Sequence, residues 1–167
     1  MNCRQVAGRC VGNGKEYRLD RQGRTEMKKY NLERFITAQQ SYYAAALNEV
    51  KNGLKTSHWM WYIFPQVKGL GTSHMSLFYG IEDLDEAVAF LQNEYLRCNL
   101  YRICEALMQL ETNDAKAVFG YIDAKKLKSS MTLFAYAAGT HSIFHDVLDK
   151  FFEGRFCGRT KGILNLD

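Results

Sequence analysis

The sequence predicts an all-α protein, a compact single-domain orthogonal bundle of about seven helices. Three observations carry this prediction. Strict period-2 alternation appears nowhere over a useful length, so no half-buried strand announces itself. The 167 residues contain one proline, Pro65, so the commonest helix breaker is nearly absent. Apolar residues recur instead at three- and four-residue spacings, behind residues suited to capping helix N-termini.

The elements follow in order. Asn31 is suited to cap a helix in which Leu32, Phe35, Ile36, Tyr42, Tyr43, Ala46, Leu47 and Val50 share one side. Lys51-Asn52-Gly53 ends it, with a cation in the last turn and a glycine to leave the helix. Ser57 is expected to cap a short helix from His58 to Phe64, stopped by Pro65. Ser73 caps the next, through Tyr79, and Gly80 closes it. Asp83 caps Leu84 to Leu91. Leu96, Leu100, Ile103, Leu107 and Leu110 then form the clearest amphipathic stripe in the chain. Asp114 begins a short turn ended by Gly120, and Asp123 caps a helix to about Ala138, closed by Gly139. Ser142 caps a last helix with Ile143, Phe144, Val147, Leu148 and Phe151 inward. Its outer face sets Asp146 four residues before Lys150, the favoured order for a pair.

Composition and charge bound the function. With 47% apolar and 24% charged residues, the chain is an ordinary globular one, and its length suits a single domain over residues 27–167. No unbroken apolar run exceeds six residues, where a membrane span needs roughly 20. No apolar stretch near the N-terminus resembles a secretory signal, so a cytoplasmic location is expected. The net charge is +4, but residues 1–26 contain six of the basic residues and three of the acids. The rest is therefore nearly neutral, which ranks nucleic-acid binding through residues 1–26 and Lys125 to Lys128 behind other readings.

Residues 1–26 carry almost no periodic apolar signal and are expected to be a disordered basic extension. The change in composition at Met27 fits a biological start there and a misassigned extension upstream. The rival reading is a genuine basic tail that contacts an acidic partner. Five cysteines without a CxxC spacing argue against a disulfide framework or a zinc ribbon, and for free thiols in a reducing compartment. Cys98 and Cys104 fall inside an apolar helical pattern and are expected to be buried at least in part.

Three stretches depart from simple amphipathic helix. SHWMWYIFPQ places both tryptophans of the chain, Trp59 and Trp61, within three positions. Such a stretch is either a central core helix or the wall of a pocket, with flat indole faces for a planar ligand. His58 at its start is the candidate acid–base group, because imidazole titrates near neutrality. Next, QVKGLGTS offers Gln66, Gly71 and Ser73 in a glycine-containing loop that a ligand can approach closely, or that merely joins two helices. The third, DAKKLKSSMT, gathers lysines in the first half of a helix, where the helix dipole disfavours cations and a bound anion offsets that cost. There Lys128 is the candidate to stabilise negative charge, with Ser129 and Ser130 to orient a ligand. Solvated lysines are the alternative. His141 and His145 have a metal-compatible spacing without the HExxH carboxylate, so no metal site or cofactor is implied.

The same stretches carry a resemblance. NLERFITAQ, SHWMWYIFPQ, GLGTS and LKSSMTLF, followed by VLDKFFEG, resemble the bacterial domain-of-unknown-function family 1810 over about Tyr30 to Gly154. The resemblance implies a compact, mainly α-helical fold and no established activity. Some members carry the label calpastatin, a disordered and repetitive protease inhibitor, which this chain does not resemble after Met27.

Together these observations point first to binding, with or without turnover, of a small planar anionic ligand such as a nucleotide derivative. The alternative is a non-catalytic interaction module that presents Tyr42, Tyr43, Tyr101 or Phe152.

Overall fold

The computed structural model describes residues 30–166, together with short strands at 5–6, 9–12, 15–19 and 25–26. The chain divides into two units, Met1–Asn31 and Leu32–Asp167.

The first unit contains β1 (Gln5–Val6), β2 (Arg9–Gly12), β3 (Lys15–Leu19) and β4 (Thr25–Glu26). They pair antiparallel in chain order. Gly12 pairs with Lys15, and the two residues between them in sequence are Asn13-Gly14. That dipeptide is the strongest short-range hairpin signal, and it was legible where helical periodicity was not. Met27, the expected start, lies outside the described residues.

The second unit is all-α. Its helices are α1 (Glu33–Lys51), α2 (Met60–Ile63), α3 (His74–Tyr79), α4 (Leu84–Gln92), α5 (Glu94–Met108), α6 (Ala115–Ala138), α7 (Ile143–Phe152) and α8 (Gly158–Leu164). α5 packs against α1, α4 and α7, and α6 against α4, α7 and α8. Leu96, Leu100, Ile103 and Leu107 on α5 are all buried, as their spacing predicts. Each contributes about 1.5–3 kcal/mol by leaving water. Phe90, Phe134 and Phe144 stack in tilted pairs across α4, α6 and α7.

The caps divide into those expected and those corrected. Ser73 accepts from the Ser76 amide and Asp83 from the Glu86 amide, as expected. Asn31 is not the cap of α1; Leu32 holds that position without a side-chain bond. Ser57 does not cap α2, which starts later, because its hydroxyl and amide donate to Glu49. Asp146 does not pair with Lys150. The ammonium of Lys150 donates instead to the carbonyls of Leu107, Met108 and Leu110, which terminate α5. Asp146 bonds His141 at 2.8 Å. The helix α8 carries no apolar period and was not expected.

Two further expectations change. Cys104 is buried, but Cys98 is exposed. Of the aromatics assigned to an interaction surface, Tyr42 is exposed, Tyr101 and Phe152 are half-buried, and Tyr43 is buried with its hydroxyl donating to the Asn99 carbonyl. Among the described residues no helix is long and apolar enough to cross a membrane.

Candidate functional site

The α6 helix is two helices in series. Gly120 has φ 77° and ψ 169°, which interrupts the helical ladder. A side chain there meets no other atom within 4 Å, so the requirement for glycine is conformational. The chain resumes as helix at Tyr121, two residues before the expected start. Asp123 is therefore not a cap but a first-turn residue facing the segment before α2.

That segment is held by one carboxylate. Glu49, near the end of α1, accepts from the amides of Thr56 (2.8 Å) and Ser57 (3.1 Å), from the Ser57 hydroxyl, and from Trp59 Nε1 (2.8 Å). Burial pushes its carboxyl up, but these four donors outweigh burial and hold it at about 2. The Lys55 amide donates to the Val118 carbonyl at 2.8 Å, which ties the segment to the turn before Gly120.

Between the two lies an open cleft of about 480 Å³. Trp59 and Trp61 line it from one side, and Phe119 and Tyr121 from the other. Lys55 Nζ and Lys126 Nζ reach Asp123 at 2.8 Å and 2.9 Å, one to each carboxylate oxygen. These side chains are only 7%, 25% and 19% exposed respectively. Partial burial raises the Asp123 carboxyl, and the two lysines more than reverse this, so it stays below its ordinary value and ionised. Each ammonium also lies 5.1 Å from an indole, Lys55 over Trp59 and Lys126 over Trp61. The three charges sum to one positive unit beside four aromatic rings.

The expected site residues fall into three places. His58, Trp59 and Trp61 line this cleft together. His58 is exposed, and its ring bonds no other described residue. Gln66 and Gly71 line a second hollow that shares Trp61 but has room for about 10 Å³, one water at most. A Cβ at Gly71 would lie 2.7 Å from Ser76 Oγ, so the serine side chain would have to shift to admit one. Ser73 is the cap of α3 and lines neither. The remaining three, Lys128, Ser129 and Ser130, are not brought to the cleft. Lys128 extends over Phe152 at 5.9 Å. Ser129 and Ser130 are buried, and Ser129 Oγ donates to the Lys125 carbonyl at 3.1 Å.

The reason is helical geometry. Residues two apart point to nearly opposite sides, so Lys128 cannot join Lys126, whereas Asp123 and Lys126, three apart, share a face. Lys126 belongs to the same lysine cluster, and it, rather than Lys128, lines the cleft. Sequence spacing gives no signal for Lys55, which lies in a loop 68 residues from its carboxylate partner. Among the described residues no group of three His, Cys, Asp or Glu can hold a metal. His141 and His145 stack at 5.1 Å, but one bonds Asp146 and the other accepts from the Ser142 amide.

The fold has a solved counterpart. The crystal structure of the conserved hypothetical protein Rv1873 from Mycobacterium tuberculosis is 38% identical, with a TM-score of 0.79. The similarity covers 83% of this chain and 99% of that one. No curated protein matches. The family model described as "Protein of unknown function (DUF1810)" matches residues 29–164. The aromatic cleft, its lysine pair and the break at Gly120 all fall within those residues, and the chain belongs to this family.

Proposed function

We propose that this domain binds a small planar anionic ligand, such as a nucleotide derivative, in the cleft between the Trp59–Trp61 segment and the start of the second half of α6. One observation carries the reading: both tryptophans and the Lys55–Asp123–Lys126 cluster meet in a single hollow of about 480 Å³. That volume lies within the range of small-molecule sites, which pair apolar walls with a few charged groups. The indole of Trp61, half-buried, offers a face for stacking, and the net positive cluster attracts an anion. If the ligand is turned over, His58 is the imidazole that lines the cleft and the candidate acid–base group.

The test is a thermal-shift screen with nucleotides on the wild type, Trp61→Ala, Lys126→Ala and Lys128→Ala. The reading expects a shift that both cleft variants lose and Lys128→Ala keeps. No shift from any nucleotide, or an equal shift in all four proteins, contradicts it.

A second reading, a protein-interaction module, is favoured by a ring chain from exposed Tyr42 through Tyr62 and Tyr79 to exposed Phe78, beside exposed Leu77. It requires that Phe78→Ser weaken an association detectable by sedimentation.

A further inference from the structure

The unfilled hydrogen-bonding capacity of the charged cluster indicates more than an anion site. An ammonium has three N–H donors, and each carboxylate oxygen has about two acceptor positions. Lys55 Nζ donates to Asp123 Oδ2 and to the Ser57 carbonyl at 2.6 Å, which leaves one donor. Lys126 Nζ donates to Asp123 Oδ1, which leaves two. Asp123 has one further position on each oxygen. All three residues line the cleft. The cluster thus offers about three cationic donors next to about two anionic acceptors.

A bare anion fits this arrangement poorly. It uses the donors but sets its own charge against the Asp123 carboxylate, a repulsion that partial burial strengthens. An uncharged polyol can both donate to the carboxylate and accept from the lysines, but it leaves the net positive charge of the cluster uncompensated. A ligand that carries hydroxyls beside its anionic group satisfies both. The hydroxyls then lie between the carboxylate and the anion, and donate to the carboxylate. A planar ring on the same ligand lies against Trp61.

We infer that Lys55, Asp123 and Lys126 form a sugar-phosphate subsite, and that the ligand class is a ribonucleotide with free 2′- and 3′-hydroxyls. The phosphate accepts from the two lysines and the ribose hydroxyls donate to Asp123. This rests on the planar-anion reading above and narrows it.

Calorimetric titration tests it with the 5′-monophosphates of adenosine, guanosine, cytidine and uridine, their 2′,3′-dideoxy counterparts, and the four nucleosides. At least one ribonucleotide is expected to bind about tenfold or more tighter than its dideoxy form, the effect of losing hydrogen bonds to a charged group. In Asp123→Ala that ratio falls to about one. Lys126→Gln gives an independent check if Asp123→Ala does not fold. It loses the preference for nucleotide over nucleoside and keeps the preference for ribose over dideoxyribose. Circular dichroism melts establish that each variant is folded. If ribonucleotides and dideoxynucleotides bind wild type equally, the subsite is wrong while the planar-anion reading stands. If no nucleotide binds, both are wrong.

Discussion

On α6, the turn that carries Asp123 and Lys126 faces an open cleft, whereas the turn that carries Ser129, Ser130 and Thr132 is closed over by the segment leading into α8. Both turns interrupt an apolar helix with polar residues, and in sequence they form one continuous stretch. In the first turn, polar groups bond one another across a gap and retain hydrogen-bonding capacity. In the second, the hydroxyls of Ser129 and Thr132 are used inside the fold, while Ser130 Oγ is buried without a hydrogen-bond partner among the described residues. Ser129 and Thr132 donate to the carbonyls four residues back. Thr132 also accepts from the Cys157 amide at 2.9 Å, and Ser129 Oγ lies 3.3 Å from Cys157 Sγ. Burial raises the Cys157 thiol, but hydrogen bonding with the Ser129 hydroxyl and the amides of Thr160 and Arg159 more than reverses this and holds it below its ordinary value. Polar residues in an apolar helix thus mark a site only when their faces reach a cavity; otherwise they mark a seam.

The largest effect expected from breaking this contrast lies in the core that both turns rest on. Leu107→Ala removes a fully buried side chain from α5. It should cost about 2–5 kcal/mol in urea denaturation, from lost burial and the cavity left behind. A cost no larger than that of an exposed-site change contradicts the assigned packing. Next is the closed turn itself. Thr132→Val keeps the shape but leaves the Cys157 amide without its acceptor, for a loss of about 1–3 kcal/mol. No loss there would remove the seam from the account.

The helical class and the α5 stripe were legible because they depend on local periodicity and on caps within three residues of their targets. Ser73 and Asp83 could be read for that reason. The cleft was legible only by half. Tryptophan spacing marked one wall, but the other wall forms only because Gly120 adopts a positive φ and restarts the helix two residues early. Lys126 and Lys128 are alike in composition, and only their angular positions around the helix separate the one at the cleft from the one over Phe152. Lys150 escaped for a different reason: its carbonyl partners lie 40 to 43 residues away, so the i,i+4 rule had no means to foresee the competition. Between β2 and β3 the sequence reads Asn13-Gly14, a hairpin signal in a stretch that lacks apolar periodicity.

The smallest expected effect sharpens the view of how the cleft wall is held. The Glu49 carboxyl is depressed from 4.5 to about 2 in the folded protein. A depressed carboxyl stabilises the fold fully above its unfolded value, and that contribution declines as pH falls from about 4.5 towards about 2. Melting temperatures over this range should fall less steeply in Glu49→Gln than in the wild type. Parallel curves would show that Glu49 does not anchor the segment from Lys55 to Trp59.

The central claim is that the cleft is a ligand site, and the chain offers a direct optical readout of it. Its two tryptophans, Trp59 and Trp61, both line the cleft. Tryptophan fluorescence excited at its red edge should therefore report binding without background from elsewhere in the molecule. Titration with ribonucleoside monophosphates is predicted to give saturable quenching that Lys126→Ala abolishes and Lys128→Ala preserves. Emission that stays constant with every nucleotide, or quenching equal in both variants, would contradict the account.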